Sequence, residues 1–403
     1  MNLLTLLLCA LLPGCGQPPR ALPHTLAGFA APPARAMPAP RLAQGAAPTA
    51  RWTVMVYMSG DNDLEEYVVK DIENELGLGG STDQVQVVAL ADRIPGYDTS
   101  RGDWTGTKLF HVTRGLRAEP AAAVADWGER SMGDPATLVD FVSWSKAHYP
   151  AEHYALYMWG HGWSWHPGYV MEDKTNHDAL DPQEIKSIFP RLGALDLVAY
   201  DGCNMAAIEV ESLWHGHATA LVHSQEYVEW DGIEYDVVLG QLNQNPRMGA
   251  DQLAIISNRS ASLNQEKTGS AVAVDGRFDR LLQAIDHWSL ALISGLPRYR
   301  AEYARAFAAA QHFFEAPDEK DLYHLASLIR QQVPDPAIQA ASQELFTAFG
   351  SVMLNEWHSG DYPQAHGITI SNPAPEDGEV DSYRSGDFAR YTHWDEFLAA
   401  YRR

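Results

Sequence analysis

The chain holds 403 residues, enough for one large α/β domain or two smaller ones with an ample core. Its formal charge of −23 argues against nucleic acid or an anionic membrane surface as a partner of the folded part. The same acidity favours cationic substrates, and it is also what a plain soluble surface requires.

Met1 to Leu12 is almost wholly apolar, too short to span a bilayer but the size of a secretory signal's hydrophobic region, with only the terminal amine as positive charge ahead of it. Leu12-Pro13-Gly14-Cys15 resembles a bacterial lipobox, whose cysteine becomes the lipid-modified first residue, although Pro13 replaces the usual small side chain. Residues 1–14 are thus expected to be a lipoprotein signal, with Cys15 lipidated and Gly16 directing the protein to the outer membrane. An ordinary cleaved signal gives the same export without the anchor. Residues 15–50 are rich in Pro and Ala, carry Arg20, Arg35 and Arg41, and hold no acid, so they read as a semi-extended tether. The acidity belongs to 51–403, read as one domain.

That domain opens with a buried-strand run, Arg51 to Met58, followed by Asp61-Asn62-Asp63. Leu64, Val68, Ile72 and Leu76 then recur every fourth residue, predicting a helix capped by the Asp/Asn cluster and stopped by Gly77, Gly79 and Gly80. Val85 to Ala91 is the next strand, Lys108 to Thr113 a short edge pair, and Asp134-Pro135 starts a helix ending near Pro150. The apolar run Tyr154 to Trp159 ends in Gly160-His161-Gly162, and the run Leu195 to Tyr200 ends in Asp201-Gly202-Cys203. Between them Asp181 caps a helix whose first residue is Pro182. A right-handed strand-helix-strand crossover brings both strand ends to one sheet edge, where open α/β sheets place ligands, so His161 and Cys203 are expected across a cleft. Beyond Cys203 the pattern predicts a helix to Trp214 and a strand at Ala218 to Val222. A helix at 250–258, a strand at Gly269 to Val274 and helices over 278–349 follow, then a late strand at Ala365 to Ile370 and a closing helix from Trp394. The alternation says α/β with a largely parallel sheet.

Cys9 lies in the apolar leader and Cys15 at the lipobox, so maturation leaves Cys203 as the one expected thiol. A single thiol at a strand end, in an exported chain without a disulfide framework, marks a candidate nucleophile; a small buried hydrophobe is the other reading. Among the histidines only His161 has strand-end placement, whereas His153, His166 and His177 read as packed or solvated rings. Trp159, Trp163 and Trp165 either wall the cleft or join the core.

Trp52-Thr53-Val54-Met55-Val56-Tyr57-Met58 with Asp61-Asn62-Asp63-Leu64-Glu65, Gly160-His161-Gly162, Asp201-Gly202-Cys203-Asn204-Met205, Gly367-Ile368-Thr369-Ile370 and Trp394-Asp395-Glu396-Phe397-Leu398 together resemble the clostripain family of cysteine peptidases. The resemblance implies a caspase-like α/β/α sandwich with a mostly parallel central sheet, and a Cys203/His161 dyad. Cys203, expected at a helix N-terminus that steadies its thiolate, would attack the scissile carbonyl, and His161 would give the leaving amine its proton. The N–H groups of Gly162 and Cys203 would receive the oxyanion. The family's acidic pocket maps by motif position onto Asp201, with Asp231 as a second candidate, and selects Arg or Lys before the cut. Ser224 and Glu226, in His223-Ser224-Gln225-Glu226-Tyr227, would pair with an extended substrate or form plain loop. The resemblance also implies a self-cut after a basic residue in the linker between His161 and Asp181, for which Lys174, the only Lys or Arg there, is the candidate; a solvated loop lysine is the other reading.

The chemistry requires no cofactor. Calcium is carried over from the family, but Glu376-Asp377-Gly378-Glu379 matches no EF-hand spacing, no metal ligand is singled out, and no paired-cysteine or His-x-x-x-His pattern points to zinc. The expected function is an exported endopeptidase cutting peptides after Arg or Lys, through an acyl-enzyme. A surface binding protein on the same fold, and a transpeptidase passing the acyl group to an amine, are the alternatives. Peptides with basic residues are the expected partners, nucleic acid is not, and a membrane is met only through the lipid.

Overall fold

The computed structural model describes residues 49–166, 170–264, 267–314, 316–372 and 383–403. The expected signal, the lipidation site Cys15, nearly all of the tether and Glu376 to Glu379 lie outside the described residues.

Ala50–Gly60 (β1) is an eleven-residue strand with every residue but one buried. Its side chains alternate between two cores: Met55 and Tyr57 pack with Val88 and Leu90 on one face, while Val54, Val56 and Met58 pack with Val87 and Ala89 on the other. Burial on both faces is why the run reads as continuously apolar rather than alternating. Val85–Arg93 (β2) pairs parallel with β1. Thr107–His111 (β3) and Ala125–Gly128 (β4) continue antiparallel to that edge, the short edge pair the sequence predicts. Ala151–Trp159 (β5) pairs parallel with the other side of β1. Val170–Asp173 (β6) and Asp178–Leu180 (β7) form a separate hairpin. Leu195–Asp201 (β8) and Ala218–His223 (β9) extend the parallel part. Thr268–Ala273 (β10) turns antiparallel on β9. The nine-stranded order is Met353–His358 (β12), then β10-β9-β8-β5-β1-β2-β3-β4.

The crossover helix Pro182–Leu192 is capped as its sequence predicts: Asp181 accepts from Gln183 N and Glu184 N, and Glu184 returns a bond to Asp181 N. Reciprocal caps of this kind satisfy orphan helix donors.

Other expectations are corrected. The late strand shrinks to Thr369–Ser371 (β13), pairing with Glu319–Asp321 (β11) outside the main sheet. The helix beyond Cys203 begins only at Ile208, because Asn204 takes a left-handed backbone and the chain then bonds Ala206 N to Ser224 O and Ala206 O to Thr369 N. Cys203 therefore sits in a turn rather than at a helix N-terminus. The helix Tyr235–Gln244 and the edge strand β12 lack a clean sequence signature. Among the described residues no helix is long and apolar enough to cross a membrane.

Candidate active site

The chain leaves β1 for β2 on one side and returns to β5 on the other, so the loops after β1 and β5 diverge and open a crevice. His161 lies two residues past β5 and Asp63 three past β1, and His161 Nε2 sits 3.1 Å from Asp63 Oδ1. The register Trp159↔Asp201 brings the continuation of β8, Gly202-Cys203, level with Gly160-His161. Glycine is required there: a Cβ at Gly202 would come 2.5 Å from Gly160 O, and one at Gly162 2.6 Å from Cys203 O. Two backbones in such contact fix the two reactive side chains relative to each other.

His161 and Cys203, 9% and 5% exposed, line one pocket together with Trp159, Asp201, Val228, Trp230 and Gly232. Val228 N lies 3.4 Å from Cys203 Sγ. The full sequence retains Cys9 and Cys15, the only other cysteines, both outside the described residues.

Asp201 forms the pocket's acidic floor. Its Oδ1 accepts from Ile233 N at 3.1 Å and its Oδ2 from Tyr235 Oη at 2.8 Å, yet burial still pushes its carboxyl up to about 6. Behind it Asp71 accepts from Trp159 Nε1 at 2.8 Å and keeps its other oxygen without a partner. Burial, reinforced by Asp201, raises the Asp71 carboxyl, and burial beside Asp71 raises that of Glu75. Asp71 and Glu75 were legible: with Leu64 and Val68 they fall at spacings of four, three and four, on the buried helix face. Trp159 walls the pocket, while Trp165 packs against Tyr383 and donates to Ser371.

Asp231 is not brought into this pocket. It is exposed and ion-paired with Lys70, which leaves the neighbouring Gly232 against Asp201. Ser224 and Glu226 are not on an open edge either. Their carbonyls accept from Ala206 N and Asn204 N, Ser224 Oγ donates to Thr268 O, and Glu226 binds Phe314 N. The segment facing the pocket lies two to four residues later, at Val228 to Trp230, with Trp230 stacked on Tyr67.

Lys174 sits in the turn after β6 and donates to Asp63 Oδ1 at 2.8 Å, the oxygen that faces His161. The bond with His161 and that from Lys174 hold the Asp63 carboxyl well below the usual carboxylate range, against half-burial that works the other way. Asp63 is the residue that motif reading took for a helix cap; its signal was its place after the strand at which the sheet order diverges. His153, by contrast, is packed on Trp52 and bonded to Asp196, as expected of a ring before the strand.

Residues 56–293, more than half of the chain, match the profile of peptidase C11, the clostripain family. The chain belongs to the clostripain family. It is 24% identical over 278 residues to clostripain of Hathewaya histolytica, covering 58% of this chain and 52% of that protein, so the match spans about half the length of the curated relative. Its fold is similar to a secreted C11 cysteine protease from Bacteroides thetaiotaomicron bound to an irreversible peptide inhibitor, with TM-score 0.66, 16% identity, and 86% and 100% of the two chains covered. It is also similar to an inactive zymogen C11 protease from Parabacteroides distasonis, with TM-score 0.61, 15% identity, and 85% and 98% covered. At these identities the likeness shows the α/β fold with its largely parallel central sheet.

Proposed function

We propose that this clostripain-family chain is an exported endopeptidase that hydrolyses peptide bonds after Arg or Lys, with Cys203 as nucleophile and His161 as proton carrier. The observation that carries the reading is the single pocket in which His161, Cys203 and the buried acid Asp201 meet. The reduced Cys203 loses its proton, its sulfur adds to the scissile carbonyl, and the oxyanion is received by the N–H groups of Gly162 and Cys203. Collapse breaks the C–N bond, His161 protonates the departing amine, and water then cleaves the thioester and restores the thiol. Asp63, an acceptor only, takes the Nε2 proton of His161 in its hydrogen bond, leaving Nδ1 to move the proton. Asp201 receives the substrate guanidinium through a charge-assisted bond.

In the same reading a self-cut after Lys174 releases the hairpin turn from Asp63, and Cys15 carries the lipid anchor. Peptide amides ending in Arg, Lys, Asp and Leu, assayed in reductant with the wild-type and Cys203→Ala proteins, test the reaction. Loss of at least about 10⁴-fold in Cys203→Ala is expected for a removed nucleophile. Activity surviving that substitution overturns the mechanism, and acyl transfer to an added amine in preference to water would favour a transpeptidase. Mass spectrometry of both proteins reads the self-cut, expected only in the wild type.

A further inference from the structure

Glu226, expected to pair with substrate, is fully buried and serves as a hub instead. Its Oε1 accepts from Tyr227 N at 3.0 Å and its Oε2 from Phe314 N at 2.6 Å. The Tyr362 hydroxyl bonds to the same carboxylate; burial first, and then that bond, raise the phenol. Tyr362 in turn stacks on the buried ring of Phe313, with centroids 5.5 Å apart and planes 26° from parallel. Aromatic residues from three separate loops are thereby gathered around one anion: Tyr227 after β9, Phe314 between the helix Phe278–Ala309 and β11, and Tyr362 between β12 and β13.

Phe314 is 56% exposed, and Tyr227 and Tyr362 are partly buried. Scattered single apolar residues on a surface need no explanation, but an aromatic group organised by a fully buried carboxylate is a built feature. Lys267 Nζ stands 5.6 Å from the Tyr227 ring centroid and 3.6 Å from Glu229, which ties that ring to the segment framing the pocket. Val228 N, 3.4 Å from Cys203 Sγ, lies two residues past Glu226. At about 3.3–3.6 Å per residue, the group starts about 10 Å from the sulfur, the reach of about three extended residues. The sheet order decides the side. β8 lies between β5 and β9, and His161, beyond β5, serves the departing amine. The acyl part of a bound peptide therefore runs the other way, toward β9 and β10, where Tyr227 lies. Phe314 and Tyr362 fall outside the family-matched residues 56–293, so they belong to this chain's own elaboration of the cleft.

Resting on the reading that Cys203 cuts after a basic residue, we infer that Tyr227, Phe314 and Tyr362 form a second substrate subsite, which takes an aromatic or large aliphatic side chain three or four residues before the scissile bond. A ring or branched chain laid on this group leaves water for aromatic surface, and a ring adds the edge and face contacts that aromatic pairs favour. An acidic side chain gains nothing there, since Glu229 and Asp361 already stand beside these tyrosines. The pocket over Asp201 sets the residue after which the chain is cut, and this subsite sets which of many basic residues is taken.

The test uses the full chain in reductant with tetrapeptide amides X-Gly-Gly-Arg and Gly-X-Gly-Arg, X being Phe, Leu, Ala or Asp, beside a blocked arginine amide too short to reach the subsite. In the wild type kcat/KM for Phe or Leu should exceed that for Ala by about five- to twentyfold at one of the two positions, chiefly through KM, with Asp no better than Ala. Phe314→Ser, at an exposed ring and harmless to folding, should bring that ratio to within about twofold of one, and should lower the ratio of the Phe tetrapeptide to the short amide by at least about fivefold. Equal rates for every X, or a Phe314→Ser loss of the same size on the short amide, overturns the subsite while cleavage after Arg stands. No cut after Arg in any peptide, long or short, overturns the cleavage reading and the subsite together.

Discussion

Two groups of buried carboxylates stand at the same sheet edge, and they differ in what surrounds them. Asp201 and Asp71 are met by fixed donors, the Tyr235 hydroxyl, the Ile233 amide and the Trp159 indole, and the group opens into a pocket walled by Trp159 and Trp230. Asp61 and Asp92 each accept one bond and, like Asp71, keep one buried oxygen without a partner, but they close on other acids instead of a pocket. The first arrangement suits a flat organic cation that enters, is read and leaves. Negative charge alone therefore does not define a site; only the first group opens into a pocket.

Three substitutions sharpen or break that contrast. The largest effect is expected at Asp201→Asn, which removes the pocket's charge and keeps its shape: cleavage after Arg should fall about 10²–10³-fold, as for losing one partner of a desolvated ion pair. Paired inhibitors ending in arginine or citrulline separate charge from shape. Since burial holds Asp201 up to about 6, its anion predominates only above that pH. The wild-type preference for arginine should therefore decay as pH falls below about 6, bound guanidinium shifting the midpoint lower, and Asp201→Asn should show no such preference at any pH. Equal loss on both inhibitors would show that Asp201 is structural. Next comes Asp63→Asn, expected to lower kcat about 10–10²-fold with KM within about threefold, because Asp63 orients His161 without touching substrate. Partial rescue by Asp63→Glu is the accompanying readout; a matching loss in KM would place Asp63 in substrate binding. The smallest effect belongs to Asp231→Asn. Its exposed pair with Lys70 is worth about 0–1 kcal/mol, so kcat/KM should stay within about threefold, and a loss approaching that of Asp201→Asn would restore it to the pocket.

How much of this was legible can be argued residue by residue. Apolar runs ending in Gly-His and Asp-Gly-Cys announced parallel strands with reactive ends, and the Asp181-Pro182 start of the crossover helix was written in its cap. Those signals are local. Asp61, Asp92 and Asp173 are far apart in sequence and meet only because β1 lies between β2 and β5, an order no single segment encodes. The outward pairing expected of Ser224 and Glu226 failed because the turn after Cys203 takes up their carbonyls, which depends on Asn204 adopting a left-handed backbone. β12 carries the half-exposed sequence MLNEWH after a long helix, and an edge strand with so little apolar alternation looks like a helix tail.

The contact between Gly160, Gly162 and Gly202 separates two kinds of change open to this protein. With a carbonyl 2.5–2.6 Å from where a Cβ at Gly202 or Gly162 would stand, those two positions beside Cys203 and His161 tolerate no side chain, and the backbones carrying them stay in contact. The segment from Val228 to Ile233 crosses above as a separate piece, touching Asp201 through one amide and framing the pocket mouth. Exchanging that segment would retune which residue is accepted while leaving the reacting atoms where they are. Asp201 stays with the reacting strand end, while the pocket mouth is framed by a part of the chain that can drift at its own rate.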